Sequence, residues 1–170
     1  MKPAEASLPS DTEVLVKRSF DAPAKLVWRA YMEADLMRRW CGGYPGWSMP
    51  VCEMDMRVGG KYEWRWRNDE DGMEFGFTGE VMEVVTHERL VHTQIFDPGN
   101  MGVSMGGELS IVTVTFEEVD GITNVATTIK FASKTDRDQA LSTGMTDGME
   151  VNYKHLDKVL AELKQEKRKM

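Results

Sequence analysis

The sequence predicts an α+β protein in which an antiparallel sheet curls around a long C-terminal helix. Two observations predict this fold class: seven segments have strand character, and the C-terminal stretch carries one apolar stripe at helical spacing. Seven antiparallel strands would span about 30 Å at ~4.8 Å per strand, whereas one helix is about 10–12 Å across. Because a single helix cannot cover so wide a flat sheet, the sheet must curl. A gap then remains inside, to be filled by large side chains or by a ligand.

Turn and capping signals separate the predicted elements. A first strand (13–20) precedes two short helices, of which the first is opened by Asp21 and Pro23 and the second covers 33–40. Asp-Gly pairs at 71–72 and 120–121 predict hairpin turns between consecutive strands. The remaining strands are expected at 51–56, 60–67, 74–84, 89–96, 109–118 and 122–131.

The C-terminal stretch is predicted to be one helix from about residue 136 to 166. Its apolar side chains recur every three or four residues, as in a helix with one buried face. They are Met145, Met149, Tyr153, Leu156, Leu160 and Leu163. Gly144 and Gly148 interrupt this stripe, and a glycine inside a helix costs about 1 kcal/mol relative to alanine. Two reasons would justify them: close approach of the sheet, or room for a ligand.

Composition restricts the partners and the compartment. The 170 residues carry a net charge of −7, which disfavours nucleic acid and anionic membranes as partners. No run reaches the ~18 apolar residues that a membrane span requires. Cys41 and Cys52 are the only cysteines, so we expect reduced thiols in a cytoplasmic protein. Residues 1–12 are expected to form a mobile tail, and residues 13–166 a single domain.

The strand at 60–67 poses the central question about function. Tyr62, Trp64 and Trp66 alternate with charged residues, so they share one face of the strand. Tyrosine and tryptophan each carry a polar atom that needs a partner when buried. The aromatic face therefore belongs to the hydrophobic core, or it forms the wall of a pocket, or it contributes partly to both. Four more aromatic residues are candidates for the same surface: Trp40, Phe75, Phe77 and Phe96.

Few side chains suggest a metal-binding, catalytic or ligand-orienting role. His87, His92 and His155 lack the spacing of a zinc site, and we predict neither a metal nor a cofactor. His92 can share the inner face of its strand with Gln94, where it would orient a ligand or act as a general base. The Gly-x-Ser-x-Gly pattern at 102–106 matches a nucleophile elbow, but the required preceding strand and following helix are missing. No residue is predicted to be catalytic.

Several blocks of the sequence resemble one family. They include "FDAPAKLVW" (20–28), "DMRVGGKYEW" (55–64) and "GMEVNYKHLDKVLAEL" (148–163). These are similar to the bacterial homologues of the heat-shock-protein-90 ATPase activator domain, in the START-like (SRPBCC, birch-pollen-allergen-like) superfamily. The resemblance implies the helix-grip fold, with a cavity between the sheet and the C-terminal helix. The chain departs from it at Met149, where relatives have tryptophan, so a relative's ligand does not transfer to this protein.

The expected function is the binding of a small apolar or aromatic molecule between the sheet and the C-terminal helix, without catalysis. The expected lining is Trp40, Tyr62, Trp64, Trp66, Phe75, Phe77, His92, Phe96, Met145, Met149 and Tyr153. The superfamily resemblance implies two alternatives. One is an enzyme similar to polyketide cyclases or dehydratases, with His92 as its titratable group. The other is a protein-interaction domain that contacts a chaperone or a second copy of itself.

Overall fold

The structure is a computed structural model that describes residues 1–100 and 108–169. The described residues form one sheet and four helices, which confirms the α+β class. In chain order the elements are β1 (Glu5–Ser7), β2 (Glu13–Phe20), α1 (Ala24–Met32), α2 (Ala34–Cys41), β3 (Trp47–Met54), β4 (Lys61–Asn68), β5 (Glu74–Val85), β6 (Arg89–Asp97), β7 (Leu109–Val119), β8 (Ile122–Lys130), α3 (Lys134–Ser142) and α4 (Met145–Lys169).

The sheet is open and antiparallel, with the strand order β1-β2-β8-β7-β6-β5-β4-β3. Strands β3 to β8 follow one another as neighbours, whereas β2 pairs with the last strand, β8. Consequently β2 and β3 lie at opposite sides of the sheet. The segment that contains α1 and α2 must therefore cross the sheet, and it packs with α4 against the inner face.

The predicted count of seven strands is wrong, because β1 adds an eighth at the edge of the sheet. In this strand Glu5 lies opposite Lys17 and Ser7 lies opposite Leu15. All three residues of β1 are exposed, so the strand has no alternating apolar pattern by which the sequence would reveal it. The preceding residue, Ala4, donates its backbone N–H to Glu150 Oε1 at 2.8 Å. The segment expected to be a mobile tail thus contains a short strand and a contact to α4.

The single C-terminal helix is also corrected: it is divided into α3 and α4 at Gly144. Gly144 has a φ of +79°, a left-handed conformation that ends α3. A Cβ atom added at Gly144 or Gly148 would meet no atom within 4 Å. Close approach of the sheet is therefore not the reason for either glycine. Gly144 permits the turn between the helices, and Gly148 stands beside open space in the first turns of α4.

Two single-methyl variants test this helix boundary. Gly148→Ala should raise the free energy of unfolding by about 1 kcal/mol, because alanine favours the helix. Gly144→Ala should lower it by about 1 kcal/mol, because the left-handed conformation strains any side chain with a Cβ. Urea denaturation measures both, and each variant is the control for the other. A stabilising effect of both substitutions would contradict the break at Gly144.

One charged residue joins the sheet to α4 within the core. Arg18 of β2 is only 4% exposed, and its guanidinium lies 5.0 Å from the ring centroid of Phe20. Its Nε is 3.2 Å from Glu150 Oε1, and its Nη2 is 2.8 Å from Asp157 Oδ2. Both acids belong to α4, so this ion-pair cluster holds the helix over the β2 side of the sheet.

Candidate functional site

The inner face of the sheet differs between its two halves. On β2, β7 and β8 the inward side chains, from Val14 to Ile129, are at most 6% exposed. On β4, β5 and β6 the inward side chains include Trp64, described below, and four further aromatic residues that remain half-buried, namely Trp66, Phe75, Phe77 and Phe96. The register gives these four a common face, because directly opposed residues project to the same side of a sheet. The half away from the Arg18 cluster is thus covered incompletely.

These four aromatic side chains and Trp47 form a continuous surface, which we call the aromatic wall. Phe75 stacks on Trp66 with ring centroids 5.4 Å apart, and it meets Trp47 edge to face at 5.4 Å. Phe77 lies 5.9 Å from Trp66 and 5.4 Å from Phe96. Trp66 Nε1 donates to the Cys41 carbonyl at 3.0 Å. The polar atom of this tryptophan is therefore satisfied, and its ring is available for apolar contact.

Trp47 is a wall residue that the sequence interpretation missed. It follows the turn-rich stretch "CGGYPGW", and the strand was expected to begin only at residue 51. In the structure β3 begins at Trp47, and an irregularity between Ser48 and Val51 interrupts its pairing with β4. Pro50 lies within this irregularity, where the chain requires no ladder donor. The only feature of the sequence that could have indicated a role for Trp47 is its position directly after a turn.

Beyond the wall, the inner face carries a buried hydrogen-bonded pair. Tyr62 Oη donates to the Thr93 carbonyl at 2.6 Å and lies 3.0 Å from His92 Nδ1. His92 Nδ1 is also 3.0 Å from the Thr93 carbonyl. Since the tyrosine proton is engaged by the carbonyl, Nδ1 must carry the histidine proton. The lone pair of His92 then resides on Nε2, for which no described residue supplies a donor.

Burial lowers the pKa of His92, and the hydrogen bond to the Thr93 carbonyl offsets only part of this effect. The neutral imidazole is therefore favoured in the folded protein. Because the unfolded chain takes up this proton more readily, stability should fall as the pH drops below about 6.5, and the loss should end once the folded-state pKa is passed.

The prediction for His92→Gln is a weaker loss of stability between pH 7 and pH 5 than in the wild type. The change removes the group whose protonation opposes folding, so the slope of stability against pH should decrease. Urea midpoints at the two pH values measure it. His87→Gln, at an exposed turn residue, is the control for the loss of a histidine side chain as such. Equal slopes for His92→Gln and the wild type would contradict the assignment.

Trp64 has an unpartnered donor. Its ring lies between Tyr62 (4.2 Å between centroids) and the wall, opposite Phe77. Its Nε1 atom is buried, and no acceptor for it exists among the residues that the structure describes. A buried N–H without a partner costs about 1–3 kcal/mol. Trp64 and His92 therefore bring one donor and one acceptor to this face, on which the half-buried Gln94 also lies.

The other expected lining residues divide between core and helix. Trp40 and Tyr153 lie in the closed core, where their rings stack at 6.3 Å and Trp40 Nε1 donates to the Ala30 carbonyl. Burial raises the pKa of the Tyr153 hydroxyl to about 12. Met145 and Met149 are partly buried and flank Gly148 at the start of α4. The structure thus brings Trp66 and the three phenylalanines together, with Tyr62, Trp64 and His92 beside them.

The outer face of the same strands carries an ion-pair cluster. Arg65, opposite Gly76, binds Glu74 (Nε–Oε1 2.6 Å) and Asp97 (Nη1–Oδ2 2.8 Å). The hydrogen bond from Arg65 lowers the pKa of Asp97. Arg65 therefore stays outside and does not enter the interior. The Gly-x-Ser-x-Gly pattern at 102–106 lies outside the described residues.

Residues 1–100 and 108–169 lack both a metal-binding cluster and a membrane-spanning helix. They contain no group of three or more His, Cys, Asp or Glu side chains placed to hold a metal ion. No helix among them has the length and apolar character that crossing a membrane requires.

An open antiparallel sheet with a long C-terminal helix against its inner face defines the helix-grip, START-like class of proteins. Within this class, the family described as "Activator of Hsp90 ATPase homolog 1-like protein" matches residues 21–161. The chain therefore belongs to this family, and the resemblance predicted from the sequence is confirmed. No curated protein matches the sequence.

Solved structures share the fold over almost the whole chain. A crystal structure from Rhodobacter sphaeroides is 27% identical, with a TM-score of 0.82 over 94% of this chain and 99% of that one. One from Mycobacterium smegmatis is 23% identical, with a TM-score of 0.80 over 93% and 97% of the two chains. A solution structure from Arthrobacter aurescens is 21% identical, with a TM-score of 0.79 over 93% and 91%. The last two, at so low an identity, support the fold alone.

Proposed function

We propose that this protein binds a small, largely apolar molecule with an aromatic or similarly flat body against the aromatic wall. One observation carries the proposal: aromatic side chains on the inner face stay half-buried, although the inner face of β2, β7 and β8 is closed. A contiguous apolar surface that stays partly exposed typically marks a binding site. The two cysteines form no disulfide, which supports a reducing, cytoplasmic location.

The polar groups beside the wall suggest how the molecule is oriented. Trp64 Nε1 would donate to a carbonyl or ether oxygen, which relieves the cost of its missing partner. His92 Nε2 would accept from a hydroxyl or amide. Ligand pockets typically combine an apolar lining with a few such groups. Met145 and Met149 supply flexible side chains that adapt to the shape of the ligand.

Native mass spectrometry of the freshly purified protein, compared with the denatured mass, tests the proposal first. A discrete excess that disappears on denaturation identifies a bound cellular molecule. In parallel, the neutral fluorescent dye N-phenylnaphthylamine is titrated into the protein, with Phe77→Ala as the wall variant. Saturable binding that Phe77→Ala weakens supports the site. A bare polypeptide mass together with no dye binding overturns it.

An enzymatic function in the same site is a second candidate, favoured by His92. Its pKa is lowered by burial, so the imidazole is available as a base near neutral pH. Tyr62 and the Thr93 carbonyl hold the ring in one tautomer. A His92→Ala variant that retains ligand affinity and loses turnover of an identified ligand would favour this candidate. If His92→Ala loses only ligand affinity, His92 binds the ligand and does not act in catalysis.

The family description favours a third candidate, binding to a chaperone. Val119 and Ile122 oppose each other at the tip of the β7–β8 hairpin and are 51% and 36% exposed. Two exposed β-branched side chains on one hairpin form a small apolar contact surface. Val119→Lys should abolish co-purification with a chaperone if this surface is used, whereas a wall variant should not. An unaffected interaction would exclude the hairpin.

A further inference from the structure

We propose that Arg38 is the anion-recognition residue of this site and that the ligand carries a single negative charge, such as a carboxylate, on its apolar body. This inference rests on the proposed function and names the class of ligand. It arises from a groove of about 430 Å³ between the end of α2 and the start of β3. The groove is lined by Asp35, Arg38, Arg39, Gly42, Trp47, Ser48 and Met49.

Trp47 connects this groove to the aromatic wall. It lines the groove beside Arg38, and its ring meets Phe75 edge to face at 5.4 Å. The wall is also attached to α2, because Trp66 Nε1 donates to the Cys41 carbonyl. Cys41 lies one helical turn beyond Arg38, about 4.5 Å along the helix axis. Trp47 thus brings one edge of the wall into the same groove as Arg38, so that a single ligand can contact both.

Arg38 is held in place while its charge stays available. Its Nε donates to the Met49 carbonyl at 3.2 Å. Within the described part of the chain, no group accepts from its two Nη atoms and no carboxylate pairs with it. The neighbouring Arg39 is engaged with Glu162. A guanidinium with two free, coplanar donors is suited to bidentate binding of a carboxylate.

Two features of the groove disfavour the binding of an anion, and the effect of each is limited. The C-terminal carbonyls of a helix repel negative charge, but the Arg38 carbonyl accepts from Gly42 N and the Cys41 carbonyl accepts from Trp66. Asp35 also lines the groove without forming an ion pair with Arg38. Its charge should weaken anion binding, which makes Asp35→Asn an informative variant. A sulfonate bound away from this groove would not respond to Asp35→Asn, because its distance from the carboxylate would screen the charge.

The test uses two dyes with the same aromatic skeleton. Anilinonaphthalene sulfonate carries one negative charge, and N-phenylnaphthylamine carries none. Both are titrated by fluorescence into the wild type, Arg38→Met, Asp35→Asn and, as matched control, Arg29→Met, whose side chain lies on α1 and pairs with Glu33. Methionine keeps the aliphatic stem of arginine and removes its charge. Phe77→Ala should weaken both dyes, which locates them at the wall.

We expect Arg38→Met to weaken the sulfonate about tenfold and to leave the neutral dye unchanged within about twofold. Asp35→Asn should tighten the sulfonate about two- to threefold, and Arg29→Met should change neither dye. If the neutral dye binds but Arg38→Met leaves the sulfonate unaffected, or weakens both dyes equally, this inference alone is overturned. If the wild type binds neither dye, the proposed function fails and the inference fails with it.

Discussion

Replacement of Arg18 by methionine should lower the free energy of unfolding by about 3–5 kcal/mol, the cost of breaking a buried ion pair by removal of one partner. Arg18 is 4% exposed and is the shared cation of Glu150 and Asp157. Without it, Glu150 and Asp157 of α4 lose the cation that they share against the inner face. Urea denaturation at pH 7 measures the change.

The response of the same variant to acid provides a second readout. Burial raises the pKa of Glu150, but hydrogen bonds from Arg18 and from the Ala4 backbone outweigh it, so the pKa lies below its ordinary value. The stability that this carboxylate contributes is therefore fully present above the ordinary pKa of about 4.3 and is lost as the pH falls through the lowered value. In Arg18→Met the folded-state pKa of this carboxyl should move up towards its unfolded value, so the loss of stability in acid should be smaller than in the wild type.

Two controls separate this cluster from ordinary surface charges. Arg29→Met breaks an exposed pair with Glu33 and should cost about 0.5 kcal/mol or less. The triple variant Arg18→Met, Glu150→Gln, Asp157→Asn removes all three charges together and should recover part of the lost stability. An Arg18→Met variant as stable as Arg29→Met would mean that α4 is held by its apolar stripe alone.

The elements that the sequence predicted are those with a strong periodic signal. Strands β4 to β8 and the helix α2 begin and end within a few residues of their expected positions. The prediction from side-chain periodicity failed where the geometry of the backbone, and not the side-chain pattern, determines whether an element forms and where it ends. Strand β1 is exposed throughout, β3 is interrupted near Pro50, and the helix break depends on the left-handed φ of Gly144.

The sequence predicts which residues of the candidate site share one face of a strand. It does not predict which residues of different elements come together. The alternation of side chains along β4 places Trp64 and Trp66 on one face of the strand. The register with β5 then brings Phe77 and Phe75 opposite them. Which aromatic residues enter the closed core depends on the crossing of α1 and α2, and no local pattern contains that information. Trp40 packs there on Tyr31 at 5.1 Å. Similarly, Arg18 and Arg38 acquire their partners only through tertiary packing.

The two classes of aromatic residue should respond differently to truncation. Trp40→Ala should lower the free energy of unfolding by about 3–5 kcal/mol, because its ring is 6% exposed and fully packed. Phe77→Ala should cost about 1–2 kcal/mol, since a half-buried ring loses less apolar burial. Its effect on N-phenylnaphthylamine affinity should be large, about tenfold.

Comparison of stability and affinity in these two variants separates a wall from a core. A wall residue contributes most of its contact energy only when a ligand is bound, whereas a core residue contributes it on folding. Urea denaturation and dye titration of both proteins measure the two quantities, with Trp40→Phe as a second core variant that keeps an aromatic ring if Trp40→Ala fails to fold. A Phe77→Ala variant that is destabilised as strongly as Trp40→Ala and binds the dye unchanged would place Phe77 in the core. The half-buried rings of β4 to β6 would then be packing residues of a closed domain.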